Sequence, residues 1–161
     1  PATYIAPPGF REEDLAQLVV ATHLSPLQHF PRFSLALRES VTKLLSAYPY
    51  RVGVSVSRLL HACALHPPAS VFSTRAEEIL AMVFSAIRIR KQIRIVVSGG
   101  DGEMTQTKFS PYRVVASPDE WVVMGRSSLH RCTKSFPLRS IQSVEKTEES
   151  YGVPRGFRFR Q

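Results

Sequence analysis

Between Gln92 and Lys146 the sequence breaks into short pleat-like segments divided by turn residues, and no other feature limits the possible folds as much. The segments are Gln92–Ser98, Thr105–Ala116, Glu120–Gly125, Cys132–Leu138 and Ile141–Lys146. Ser98-Gly99-Gly100-Asp101-Gly102 divides the first two, and Ser117-Pro118-Asp119 the next two. Glycine supplies positive φ in such turns, and Pro-Asp presets a tight one. Short strands joined by tight turns predict a small antiparallel barrel or sandwich. Alternation marks the faces: Ile93, Ile95 and Val97 oppose Gln92, Arg94 and Val96, and Trp121, Val123 and Gly125 oppose Val122, Met124 and Arg126. By that parity Trp121 is a core anchor.

The residues ahead of this stretch read as helical. Leu15, Leu18, Val19 and Thr22 recur at helical spacing within Arg11–Thr22, behind the acidic first turn Glu12, Glu13 and Asp14. Pro26 and Pro31 punctuate a loop, and Leu37, Val41, Leu44 and Leu45 stripe a second helix over Ser34–Tyr48. Arg51–Val56 alternates Val52, Val54 and Val56 and reads as a possible strand; Ser57–Leu65 is compatible with a short helix. Thr74 with Glu77 forms a capping box that opens a helix running to about Ile89. Residues 1–72 are thus a helical lead-in with one possible strand. Residues 73–161 are a small barrel with its leading helix. The class is α+β.

At 161 residues, 43% apolar and 21% charged, the chain can bury a core, and wholesale disorder is excluded. The longest apolar candidate, Leu15–Ala21, falls far short of the ~18 residues of a membrane span. Cys63 and Cys132 are too few for a disulfide framework, which points to a reducing, cytoplasmic setting. The start Pro-Ala-Thr fits methionine removal or a piece of a longer protein.

The net charge of +8 is unevenly spread. Residues 86–139 hold ten cations, while their acids, Asp101, Glu103, Asp119 and Glu120, sit in or beside turns. Basic strands with acidic turns predict a one-signed patch that attracts polyanions and weakens with salt. Arg94, Lys108, Arg113, Arg126, Arg131, Lys134 and Arg139 are the groove candidates, with Tyr112 as the stacking ring and His130 as a phosphate contact or turn residue. His61, Cys63 and His66 have no fourth ligand nearby in sequence, so no metal is expected, and no cofactor is implied. No nucleophile–base ordering, phosphate loop before a helix or apolar carboxylate pair appears, so the chain does not read as an enzyme.

Three blocks carry a resemblance: Lys108-Phe109-Ser110-Pro111-Tyr112-Arg113-Val114, Asp119-Glu120-Trp121-Val122-Val123-Met124-Gly125, and Lys134-Ser135-Phe136-Pro137-Leu138-Arg139-Ser140-Ile141. In order and spacing they resemble the WYL domain of bacterial transcriptional regulators. The resemblance extends over about Glu12 to Tyr151 and implies an Sm-like, SH3-like antiparallel barrel. It also implies a sensor that binds a nucleic-acid or nucleotide-like effector, forms a homodimer, and works with a helix-turn-helix domain that this chain lacks. Val122 and Val123 replace the family's Tyr and Leu, Val97 a frequent Tyr, Thr107 a frequent Arg, and Arg139-Ser140 its Asp-Arg. These departures leave open a second reading, a dimerisation or interaction module with a degenerate ligand face.

Overall fold

The structure, a computed structural model, describes residues 9–63, 72–117, 120–154 and 157. The chain divides into two compact units, residues 1–71 and 72–161.

The first unit is helical. Helix α1 spans Glu12–His23, a 3-10 turn spans Pro26–His29, α2 spans Pro31–Ser46 and α3 spans Tyr50–His61. Leu15 and Val19 of α1 are buried against Val52 and Val56 of α3. Each pair is spaced i, i+4, one stripe per helix. This corrects the expected strand at Arg51–Val56. Valines at alternate positions satisfy a strand pattern, but Val52 and Val56 also satisfy a helical one, and burial against α1 decides between them. Helix α2 begins at Pro31, three residues before the expected Ser34. Proline suits a first helical position because its φ is preset and its missing N–H has no partner to lose. The described residues of α2 include none that is fully buried. Its Val41, Leu44 and Leu45 lie half-buried against the α1–α3 cluster. The expected short helix at Ser57–Leu65 is the end of α3 as far as His61; Leu65 itself lies outside the described residues.

The second unit opens with α4, Thr74–Ile89. Its cap is Ser73, whose Oγ accepts from Ala76 N at 3.2 Å. The expected Thr74–Glu77 box is therefore displaced: Thr74 is already helical and Glu77 is buried. Ile79, Leu80, Val83 and Ala86 are the buried side of α4, which packs across β1, β2 and β5. Arg90 ends the helix in the left-handed region at φ 56°.

The strands are β1 Lys91–Ser98, β2 Met104–Ala116, β3 Trp121–Ser127, β4 Thr133–Pro137 and β5 Ile141–Ser150, with a 3-10 turn, Leu138–Ser140, before β5. They form one antiparallel sheet in the order β4-β3-β2-β1-β5. The α+β class is borne out. The ladder ends at β4 and β5 and does not close, so hydrogen bonding draws an open sheet where the sequence led us to expect a barrel. The core face carries Ile93, Ile95, Val97, Phe109, Trp121 and Val123, all buried. Glycine is required at the β1–β2 turn, where Gly102 has φ 86°.

Glycine is required again in β3. Gly125 lies opposite Pro111 of β2. A Cβ there would overlap the Ser110 carbonyl oxygen, and would come within 2.8 Å of Phe109 Cζ and 2.9 Å of Pro111 Cα. We predict that Gly125→Ala destabilises the second unit by about 1–3 kcal/mol, because the strands must part to admit the methyl. Gly53, inside α3, has nothing within 4 Å of its own Cβ position, so Gly53→Ala should stabilise by about 0.5–1 kcal/mol. Urea unfolding of the two variants should move their midpoints in opposite directions.

Candidate anion-binding face

Register sorts the cations. Arg94 of β1 stands directly opposite Lys108 of β2 and, on its other side, opposite Glu145 of β5. Two positions along β2, Ser110 faces Arg126 of β3, which faces Thr133 of β4. A bulge at Tyr112 then shifts the register, so Arg113 pairs with Met124. Paired residues share a face, and Met124 alternates onto the face of Arg126. Arg94, Lys108, Arg113 and Arg126 therefore lie on the side of the sheet opposite the core. An open depression of about 300 Å³ lies on this side, bordered by Arg94, Gln106, Thr107, Lys108, Ser128 and Leu129.

Like charges directly opposite in a sheet repel. Strand β5 answers them. Arg94 Nη1 lies 3.2 Å from Glu145 Oε2, Lys108 Nζ pairs with Glu149, and Lys91 Nζ lies 3.5 Å from Glu148 Oε2. This corrects the expectation that the acids of the sheet are confined to turns. Strand β5 runs four residues past the expected end at Lys146, and two of its three pairing carboxylates lie in that extension. All three pairs are solvent-accessible. Such pairs are worth about 0–1 kcal/mol, so they lower the positive potential without locking the cations away from a phosphate.

The remaining sequence candidates are dispersed. Arg139 lies in the 3-10 turn and pairs with Glu120 at 2.9 Å. Lys134 is opposite Gly125 and so shares the core-side parity of Phe136, away from the face of Arg94 and Lys108, although it is exposed on the edge strand. His130 and Arg131 sit in the β3–β4 turn, where Arg131 takes φ 54°. Among the described residues, Arg126, Arg131 and Lys134 make no ion pair, so uncompensated charge collects along the β3–β4 hairpin. Tyr112, the bulge residue, packs against Tyr151 with ring centroids 5.8 Å apart and against Phe157 at 5.0 Å. Trp121 is buried at 5% exposure and offers no stacking surface.

The hydroxyl relay behind the face was not foreseen from the sequence. Thr107 Oγ1 meets Ser127 Oγ at 2.9 Å, and Ser127 Oγ meets His130 Nδ1 at 2.9 Å. Leu129 N donates to Thr107 Oγ1 at 3.3 Å, and Ser128 N to the Lys108 carbonyl at 2.9 Å. Thr107 and Ser127 are both buried, so each needs these partners. Together they bind the β3–β4 turn to β2 and fix the wall of the depression. The only sequence signal was polar residues at core parity, Thr107 with Phe109 and Ser127 with Gly125. Of the His61, Cys63 and His66 triplet, His66 lies outside the described residues. Among the described residues no three His, Cys, Asp or Glu side chains gather to hold a metal, and no helix is long and apolar enough to cross a membrane.

Residues 78–146, from the second turn of α4 into β5, match the family model of the WYL domain. This part of the chain is a WYL domain. The four cations and the relay all fall inside it. Among solved structures, the chain is similar to proteasome accessory factor B/C (PafBC) of Arthrobacter aurescens, at 18% identity and a TM-score of 0.47. That likeness covers 88% of this chain and 21% of PafBC, so the chain spans about a fifth of that protein's length. No curated protein matches.

Just beyond the WYL match, Tyr151 donates its hydroxyl to the Pro111 carbonyl. Burial pushes this phenol above the ordinary tyrosine range, against the pull of the neighbouring Arg90 guanidinium. Above about pH 10 the unfolded chain releases that proton while the folded chain keeps it. Stability should therefore fall as pH rises past that point. Melting temperatures between pH 9 and 11 should decline less steeply for Tyr151→Phe than for the unaltered chain, although the variant starts lower for want of its hydrogen bond.

Proposed function

We propose that the WYL domain is the sensing part of a bacterial transcriptional regulator, and that it takes a nucleic-acid or nucleotide-like effector on the face of Arg94, Lys108, Arg113 and Arg126. The observation that carries this is their common face, with Arg94 and Lys108 cross-strand neighbours at an open depression. Arginine meets phosphate bidentately and lysine meets it as a point charge. Arg126, Arg131 and Lys134, which make no ion pair among the described residues, add long-range attraction, and His130 borders the same hairpin. In this reading the module is not an enzyme, needs no cofactor, works in the cytoplasm as a homodimer, and couples to a helix-turn-helix domain on the same or another chain. A helix ahead of β1, a bulged β2 and a 3-10 link before β5 support an Sm-like barrel as the parent of the open ladder.

The second reading is an interaction or dimerisation module. It is favoured by Glu145 and Glu149, which already neutralise Arg94 and Lys108. Both readings allow a dimer in sedimentation, so effector affinity separates them: this one requires a stable dimer that binds no effector.

Fluorescence anisotropy with a labelled short single-stranded oligonucleotide tests the first. We predict saturable binding at low salt. Four phosphate contacts correspond to a log–log salt slope of about −3. Arg126→Ala should weaken binding several-fold and flatten the slope by about 0.7. No binding at low salt, or binding unaffected by salt, overturns the proposal.

A further inference from the structure

Strand β5 and the residues after it make a set of contacts that belong together. Glu149 reaches past β1 to pair with Lys108 on β2. Two residues on, Tyr151 N donates to the Arg90 carbonyl at 3.0 Å, its hydroxyl donates to the Pro111 carbonyl, and its ring lies against Tyr112. Phe157 meets the same Tyr112 edge to face at 5.0 Å. A carboxylate sits on the cation and two rings sit on Tyr112. A nucleotide offers the same two kinds of group, an anion and a flat ring.

We propose that Glu149, Tyr151 and Phe157 are an internal surrogate for the effector, holding Lys108 and Tyr112 in the unliganded chain, and that the effector binds by displacing them. The proposal rests on the anion-binding reading above and adds the competitor built into the fold. Lys108 and Tyr112 are four residues apart on β2, on the order of 13 Å at strand rise. One inorganic phosphate reaches only Lys108 and leaves the rings in place. A short single-stranded oligonucleotide can take both positions, so the surrogate selects for ligands that carry charge and ring together. The contacts are solvent-accessible or half-buried, and so weak enough individually to exchange.

The test compares the full chain with its Glu149→Gln and Glu149→Gln/Phe157→Ala variants, using a labelled single-stranded oligonucleotide and, separately, inorganic phosphate. Near-ultraviolet circular dichroism confirms the fold, and the isosteric Glu149→Gln alone keeps the test alive should the double variant not fold. We expect about fivefold tighter oligonucleotide binding for the double variant and a smaller gain for Glu149→Gln. In the unaltered chain, hydrogen exchange at the Tyr151 amide should quicken when the oligonucleotide is added and stay unchanged with phosphate. Equal affinities in all three chains, with Tyr151 exchange unmoved, overturn the surrogate and leave the binding face standing. Weaker binding by the variants also overturns it, since Glu149 and Phe157 would then serve the complex. Absence of binding by every chain removes the anion-binding reading itself.

Discussion

The cationic face depends on one backbone approach, Pro111 of β2 lying against Gly125 of β3. Proline donates no ladder hydrogen bond, and the glycine leaves room for the neighbouring chain to come close. Directly after Pro111 the ladder gains one extra residue, Tyr112. Without that bulge, Arg113 would share parity with Phe109 and Pro111 and turn toward the core. With it, Arg113 joins Met124 and Arg126 on the other side. The same kink frees the Pro111 carbonyl for Tyr151 and leaves the Tyr112 ring out of the ladder, where Tyr151 and Phe157 cover it. A local packing device thus sets the number of charges on the face and the position of the Tyr112 ring.

The electrostatics follow from the strand order. Placing β5 beside β1 brings glutamates to a row where two cations face each other, which removes a repulsion the sheet would otherwise carry. Because each pair is accessible, the compensation is shallow. The paired cations stay accessible to solvent on this face.

Much of the sheet was legible in the sequence because its signals are local. Ile93, Ile95 and Val97 alternate cleanly, Gly102 sits where positive φ is needed, and Trp121 shares the parity of Val123. What was misjudged depends on partners distant in sequence. Val52 and Val56 fit a strand or a helix equally until α1 is packed against them. Parity along β2 fails at Tyr112 because a bulge breaks the period of two. Glu149 finds Lys108 across 41 residues, a pairing no spacing rule suggests. Thr107 is a departure from the family pattern in sequence and a buried partner of Ser127 in three dimensions.

The most direct measurement is a titration of the nitrogen-15-labelled chain with a short single-stranded oligonucleotide, followed by amide chemical shifts. The account predicts saturable shifts concentrated at Arg94, Lys108, Arg113 and Arg126, with little change at Ile93, Ile95 and Val123 on the core side. Shifts gathered in the helical unit between Glu12 and His61, or scattered without saturation, would contradict it.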